Sequence, residues 1–214
     1  MALANYQSLD FLDGSSVITA LTLDMSTGGQ LLARALGVTV PSYSFDGDSN
    51  TGMTRPTGDT LQFITGGTER VRIDANGTVG IGITPKTWSV DALQLGTNLA
   101  ISEDANSAYL SANAYINGAW KYTNAQLAGY IRLGTNDGIM SFSNAATGNA
   151  DSNITWVERM RVHTDGNVGI GETVPLGKLH VKTADSGASA DASADELVIE
   201  GSANAGMTIL SGQS

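Results

Sequence analysis

Paired carboxylates are the residues of this sequence that most readily suggest catalysis. Glu69 and Glu158 hold matching places in two similar segments, and Asp46 lies two positions before Asp48. Two carboxyl groups about 5 to 9.5 Å apart hydrolyse glycosidic bonds, one acting as acid and the other as base or nucleophile. Each Glu is followed directly by an arginine, so a surface or interchain ion pair accounts for the same residues. We therefore predict no enzyme activity, with glycan hydrolysis as the alternative.

Metal ligands are scarce in this chain. Asp46, Asp48 and Asn50 alternate like the first ligands of a calcium loop, but Thr51 stands where that loop needs glycine, so we predict a polar turn between two strands. The chain has two histidines and no cysteine. We predict that His163 and His180 lie on solvated or interchain faces; a metal held on the axis of a trimer by three copies of a histidine is the alternative. No metal and no cofactor are predicted.

An aromatic-rich segment offers possible ligand contacts. Five aromatic residues alternate with amide side chains between the two similar segments; they are Tyr109, Tyr115, Trp120, Tyr122 and Tyr130. Aromatic rings beside amides are typical of carbohydrate-binding surfaces, because sugar faces stack on rings and sugar hydroxyls pair with amides. The same residues also form ordinary half-buried sheets, so both interpretations stay open.

The composition shows which elements must carry these residues. The 214 residues include 26 glycines, only 15% are charged, and the net charge is −10. Coiled coils need charged heptads, and nucleic acid attracts cationic proteins, so both classes are excluded. No apolar run approaches the roughly 20 residues of a membrane-spanning helix, which predicts no membrane insertion. Short stretches of alternating apolar residues, separated by Gly, Asn and Asp, predict an all-β chain with at most one short helix, near residues 30–36.

An internal repeat is the strongest signal in the sequence. Residues 69–84 read ERVRIDANGTVGIGIT and residues 158–173 read ERMRVHTDGNVGIGET, with nine of sixteen positions identical at an offset of 89. Alternating apolar residues around Asn-Gly or Asp-Gly predict a β-hairpin with a two-residue turn. The repeated glycines are Gly77, Gly80, Gly82, Gly166, Gly169 and Gly171.

Glycine at every second position would leave one face of the second hairpin strand without side chains. Such a face permits close approach of another backbone, and a lone hairpin is marginally stable in water. We therefore predict that copies of the chain complete the unit around a common axis. A glycine-rich strand inside an ordinary β-sandwich is the alternative.

These segments also resemble a known family. Residues 156–181 (WVERMRVHTDGNVGIGETVPLGKLHV) resemble the repeat of bacteriophage tail fibre and tail spike proteins, where it commonly precedes an intramolecular chaperone domain. Similar phrases begin at Gly67 (GTERVRIDANGTVGIG), Ala108 (AYLSANAYINGAWKY) and Asp195 (DELVIEGSANAGMTILSG). The resemblance implies an elongated, β-rich homotrimer that is made in the host cytoplasm and belongs to the virion. The sequence ends at Ser214 without the chaperone domain of that family, and we expect a processed product, a truncation or part of a longer chain.

Four segments follow from these patterns. Residues 1–40 form an N-terminal segment for virion attachment, 41–85 a first β unit, 86–175 an aromatic-rich β unit, and 176–214 a C-terminal β segment with a low-complexity loop at 183–194. By resemblance, the chain is a structural part of a tail fibre or spike that contributes to host recognition and adsorption. Its partners would be further copies, tail or baseplate proteins, and a host glycan or protein receptor. The alternatives are a polysaccharide-degrading spike and a connector or capsid-attached fibre without receptor contact.

Overall fold

The computed structural model describes residues 39–193 and 195–209, residue 37 and, before it, five short strands. These strands are β1 (Tyr6–Ser8), β2 (Phe11–Leu12), β3 (Val17–Ile18), β4 (Thr22–Asp24) and β5 (Gln30–Leu32). The helix prediction near residues 30–36 is wrong for β5, because its three residues pair antiparallel with β4. Residues 33–36, and most of the predicted attachment segment, lie outside the described residues.

Five antiparallel strands form the sheet of the first compact unit, which spans Met1–Pro85. They are β6 (Tyr43–Phe45), β7 (Asp48–Thr54), β8 (Leu61–Thr65), β9 (Thr68–Ile73) and β10 (Val79–Ile81). Each strand pairs with the next along the chain. The predicted polar turn at residues 46–47 joins β6 to β7, and Gly47 takes a positive φ of 79° there.

The second compact unit spans Lys86–Ser214 and contains nine strands of a mixed sheet, called here the nine-stranded sheet. In sheet order the strands are β11 (Ala92–Leu95), β12 (Leu99–Asp104), β13 (Ser107–Ala112), β16 (Ala128–Gly134), β17 (Met140–Ala145), β18 (Val157–Val162), β19 (Val168–Ile170), β20 (Leu179–Lys182) and β21 (Leu197–Glu200). The first seven pair antiparallel, and β20 and β21 add parallel to β19. Strands β14 (Ala114–Asn117) and β15 (Ala119–Tyr122) form a separate hairpin between β13 and β16.

In the described part of the second unit, the buried core clusters lie on one side of the sheet. Small residues of the sheet, such as Ala100 and Ala128, pack there against Tyr115 and Tyr122 of the β14–β15 hairpin. We call this side of the sheet the covered face. Among the described residues all regular elements are strands, which confirms the all-β prediction. None of these residues belongs to a helix long and apolar enough to cross a membrane.

Candidate interaction surface

The other side of the nine-stranded sheet is apolar from edge to edge. Strand register aligns one residue from every strand in a central row: Leu93, Ile101, Leu110, Ile131, Phe142, Met160, Ile170, Val181 and Ile199. The row on one side of it contains Ala108, Leu133, Met140, Val162, Val168, Leu179 and Leu197. We call these two rows, together with Leu95, Leu99 and Val157 on the other side, the apolar face.

Water reaches this apolar face in the single chain. Eleven of its large residues are between 36% and 50% exposed: Leu99, Ile101, Leu110, Ile131, Leu133, Met140, Phe142, Val157, Ile170, Leu197 and Ile199. At about 180 Å² for each large residue, these side chains leave roughly 800 Å² of apolar surface in water. Typical monomers expose apolar patches of only about 300 to 600 Å². The sheet therefore has the reverse of the usual arrangement, with its most apolar side uncovered.

Charged groups reach the apolar face only at its margins. Glu103 is the one charged residue that the strand register places on this face among the nine strands. At the opposite margin, the Nε of the exposed Arg159 donates to the Asn144 Oδ1 over 2.9 Å. Between these margins the surface offers hydrophobic contact and no ion-pair partner, which suits another apolar surface rather than a charged ligand.

The first unit repeats this arrangement on a smaller scale. Tyr43, Met53, Phe63, Val71 and Ile81 form an apolar row across its five strands. Four of them, all except Val71, are between 38% and 42% exposed. An open concavity of about 500 Å³ lies beside this row. In the described residues both units therefore show the same pattern, a sheet face with a row of partly exposed apolar residues.

The repeated hairpin builds this pattern in both units. In the first copy β9 pairs with β10, and in the second β18 pairs with β19, with equivalent residues opposite each other. Both copies carry a bulge one residue after the repeated Glu, at Arg70 and at Arg159. The sequence predicted both hairpins, and the structure confirms them.

The repeated glutamates form ion pairs, but not with the arginine that follows them. Glu69 accepts from Arg72 at 2.8 Å, from both Nε and Nη2. Glu158 accepts from Arg161 at 2.5 and 2.8 Å in the same two-pronged way. Each Glu pairs with the arginine three positions further along, because the bulge turns the arginine directly after the Glu out of the strand alternation. These carboxylates therefore neutralise arginines of their own strand.

The glycine face is covered by the chain itself. A Cβ built on Gly80 would lie 2.5 Å from the Ile83 carbonyl oxygen, and one on Gly169 would lie 2.1 Å from the Glu172 carbonyl oxygen. The sequence predicted close approach of a backbone at these glycines; the approaching backbone belongs to the same hairpin copy in each unit. Gly82 and Gly171 do not continue the side-chain-free face, because each follows the last strand residue and has a positive φ, 69° and 72°.

The hairpin turns are longer than predicted. Five residues, 74–78 and 163–167, join the strands instead of two. Gly77 and Gly166 take positive φ values of 85° and 84°, as expected, but Asn76 and Asp165 do not. In the first copy the Asp74 carboxylate accepts the backbone N–H groups of Asn76 and Thr78, each over 2.9 Å, and so closes the wider turn.

The five candidate sugar-binding aromatics pack within the second unit. Tyr109, Tyr115 and Tyr122 are at most 9% exposed, while Trp120 and Tyr130 are half-buried. The rings of Trp120 and Tyr130 stack with centroids 5.6 Å apart, and both contact Trp156, which the prediction omitted. Packing, one of the two interpretations, thus describes all five. Sugar contact stays a prediction that concerns Trp120 and Tyr130.

Polar contacts fix the buried tyrosines. The Tyr115 hydroxyl donates to Asp151 Oδ1 over 2.7 Å, and Lys86 Nζ lies 2.8 Å from the same oxygen. Burial, aided by this hydrogen bond, raises the pKa of Tyr115 to about 12. The Tyr122 hydroxyl donates to the Ala146 carbonyl oxygen. These hydroxyls are engaged inside the chain, and so are unavailable to a sugar in this structure.

His180 corrects a sequence prediction. It is fully buried rather than solvated, because β20 turns it to the covered face. Its Nδ1 accepts the Leu176 N–H over 3.3 Å, and its Nε2 lies 3.0 Å from Glu200 Oε2. Two bonds from Ser186, backbone and hydroxyl, lower the pKa of Glu200 to about 2. His163, in contrast, is 30% exposed and lies 3.2 Å from Asp165 in its turn.

Within the part of the chain that the structure describes, one cluster of side chains has the donor atoms for a metal ion. Glu172, His180 and Glu200 place ligand atoms within 4.8 Å of one another. Lys182 Nζ already lies 2.6 Å from Glu172 and 3.6 Å from Glu200, and the Glu172 carboxylate raises the pKa of Lys182. Lys182 thus brings a positive charge to both carboxylates, so the cluster is an ion-pair network within the chain.

Comparison with known proteins adds no relative. No family model matches the sequence, and no curated protein matches it. The sequence missed the apolar face because alternation shows which residues of one strand share a side, whereas the row across nine strands depends on register. The sequence did contain one sign of this face: on one side of each strand almost every residue is apolar and uncharged.

Proposed function

We propose that this chain is a structural component of a bacteriophage tail fibre or tail spike, that it acts as a homotrimer, and that it contributes to host recognition and adsorption. The observation that carries the proposal is the repeated β-hairpin unit with an uncovered apolar face in each copy. Repeated β units that need a partner for their apolar side suit a fibre built from several chains. The resemblance of residues 156–181 to fibre repeats points the same way.

The mechanism of such a component is mechanical and multivalent. Three chains present identical surfaces, and several fibres on one virion turn weak single contacts into strong overall attachment. The N-terminal segment 1–40 would bind tail or baseplate proteins, and the host partner would be a surface glycan or a protein receptor. The acidic chain, with a net charge of −10, is not suited to nucleic acid.

A connector without receptor contact is the second candidate function. The packing of the five candidate aromatics inside the second unit favours it, because Tyr109, Tyr115 and Tyr122 offer no free ring face. Replacing Trp120 and Tyr130 by Ala distinguishes the two roles when binding of the purified protein to host cells is measured. Reduced binding by a folded, assembled variant supports receptor contact there, and unchanged binding supports the connector.

A glycan-degrading spike has weaker support. Glu69 and Glu158 are held in two-pronged ion pairs, whereas Asp46 lies in an exposed hairpin turn and Asp48 directly follows it. Incubating the purified protein with host surface polysaccharide tests this alternative by the length of the glycan chains. Shortening that disappears on changing Asp46 and Asp48 to Asn would favour the enzyme over the structural component.

Immunogold electron microscopy of virions tests the main proposal. Antibody raised against the full chain is expected to label an appendage of particles from the phage that carries the gene, and Fab fragments are expected to slow adsorption. An antibody against an internal capsid protein is the matched control for accessibility. Absence of label on intact particles, with strong label on a Western blot of the host lysate, would contradict a virion role.

A further inference from the structure

We propose that the apolar face of the second unit binds the same face of further copies of this chain, arranged cyclically around an axis that runs along the central row. The proposal concerns which surface associates and how the copies are aligned. It rests on the proposed function only for the number of copies, three.

The size of the apolar face fits a stable interface. Its eleven most exposed large residues leave roughly 800 Å² of apolar surface in water, which matches the area that one partner buries in a standard interface. Two open concavities of about 340 Å³ each lie on this face, one lined by Ile101, Leu110 and Leu133 and the other by Leu99, Ile131 and Phe142. Side chains from a facing surface would fill such depressions.

The chemistry of the face favours a copy over a different partner. Under cyclic symmetry each residue near the axis meets its own counterpart at the same height. A charged residue there would meet its like, which is destabilising, whereas Leu, Ile, Val, Met and Phe are compatible with themselves. The central row contains only such residues over nine successive strands, and Glu103 and Arg159 stand at the margins. A row that contacts the same row of other copies requires this uncharged, apolar composition.

The covered face supplies no comparable surface. Its polar residues, including Ser107, Ser141 and His180, are already buried in the single chain. The glycine face of β19 is likewise closed by the Glu172 carbonyl. Among the described residues of this unit the apolar face is therefore the large surface that assembly can still bury, and it replaces the glycine face as the predicted interchain contact.

A charge placed in the central row tests the proposal. Wild-type full chain at micromolar concentration is expected to be an oligomer by light scattering, and Ile131→Glu is expected to be a monomer with unchanged far-UV circular dichroism. Leu127→Glu is the matched control, because Leu127 is 66% exposed in a loop outside the row, and it should assemble normally. A monomeric wild type, or an Ile131→Glu oligomer of wild-type size, would overturn the proposal.

A charge of the opposite sign tests the alignment. Because residues of the central row would meet their own counterparts, Ile131→Lys is expected to be a monomer just as Ile131→Glu is. An oligomer of wild-type size from one of these two variants, with the other monomeric and folded, would show that row residues do not meet their own counterparts. Association with a different protein only, in place of self-association, counts against the proposal in the same way.

Crosslinking keeps the proposal testable if the charged variants fail to fold. The chain has no cysteine, so Ile131→Cys introduces a single thiol. A short bismaleimide is expected to link Ile131→Cys chains to dimers rapidly and Leu127→Cys chains at least tenfold more slowly. Equal rates would overturn the proposed surface. Since these assays use the purified protein, their failure is distinct from the failure of virion labelling, which tests the function.

Discussion

The two copies of the repeated hairpin are reached by connections of very different length. Gly66 and Gly67 alone join β8 to β9, whereas the segment 146–156 separates β17 from β18. Nevertheless, Phe63 lies opposite Val71 in the first copy and Phe142 lies opposite Met160 in the second. The strand pairing is therefore set by the strands themselves, through alternation, bulge and ion pair, and the connection is free to vary.

The surroundings of the two copies differ where their sequences differ. In the first copy Glu69 also accepts a hydrogen bond from Gln62, while in the second Arg161 also donates to the Thr173 carbonyl oxygen over 2.9 Å. Each bulged arginine donates from Nε, Arg70 to Thr65 and Arg159 to Asn144, both over 2.9 Å. The repeat thus preserves the backbone-defining contacts and exchanges the contacts around them.

Adding one methyl group to the covered glycines is expected to have the largest effect on this comparison. Gly169→Ala and Gly80→Ala should each lower the free energy of unfolding by about 1–3 kcal/mol, because the added Cβ meets a backbone oxygen. Gly169→Ala should cost more, since its contact would be 2.1 Å against 2.5 Å. Urea unfolding at fixed protein concentration measures both.

Gly58→Ala is the matched control for the glycine variants. A Cβ at Gly58 would meet no atom within 4 Å, and its φ is not in the positive range. We expect Gly58→Ala to leave the free energy of unfolding unchanged or to raise it by up to about 1 kcal/mol. If all three variants had equal stability, close approach of the backbone would not explain the repeated glycine.

Removing the repeated glutamate is expected to have the next largest effect. Glu158→Gln and Glu69→Gln should each cost about 1–2 kcal/mol, between the values for exposed and for buried ion pairs, because these pairs are half-buried. Glu69→Gln should cost more, since a single amide oxygen would then have to accept from both Arg72 and Gln62. The exposed Glu196→Gln serves as control, and a cost at Glu158 as small as at Glu196 would contradict a structural role of the pair.

The sequence predicted the repeated hairpin because that signal is local. Apolar alternation in β9 and β18 and the glycine in each turn lie within sixteen residues, so both strands and the positive φ of Gly77 and Gly166 followed directly. The turn length did not follow, because Asn-Gly also fits a five-residue turn in which only the glycine needs positive φ. The Asp74 side chain, which closes that turn, carried the missing information.

The orientation of the faces was beyond the sequence. Alternation placed His180 opposite Leu179 and Val181, which is correct, but the polar side of that strand is the covered one. In a monomer the apolar side would be buried, and prediction follows that rule. A surface that further copies would cover reverses this rule. The sequence therefore separated the two faces of β20 correctly, but it predicted solvent on the polar face, which is the buried one.

Acid is expected to destabilise the second unit more than the first, with a smaller effect than the substitutions above. Because hydrogen bonds from Ser186 lower the pKa of Glu200 to about 2 from 4.5, the ionised carboxylate stabilises the fold above about pH 4.5. That stabilisation is lost as the pH falls from about 4.5 towards 2. Hydrogen exchange at pH 3 and pH 7 should show a larger loss of protection in β20 and β21 for wild type than for Glu200→Gln.

The pH comparison has its own internal reference. Amides of β8 and β9 belong to the first unit and should respond alike in wild type and Glu200→Gln. An equal loss of protection of β21 in both proteins would show that this carboxylate does not control the acid response.

The turn residues should give the smallest effect and the sharpest test of the comparison. Asp74→Ala removes the acceptor of two backbone N–H groups and should cost about 0.5–1.5 kcal/mol. His163→Ala, at the equivalent position, should change stability by less than about 0.5 kcal/mol, because there the Asn167 N–H is accepted by Asp165 instead. Urea midpoints of the two variants decide the point. Equal losses of stability would mean that both turns depend on the side chain at their first position. Asp165 would then not replace His163 as the residue that stabilises the second turn.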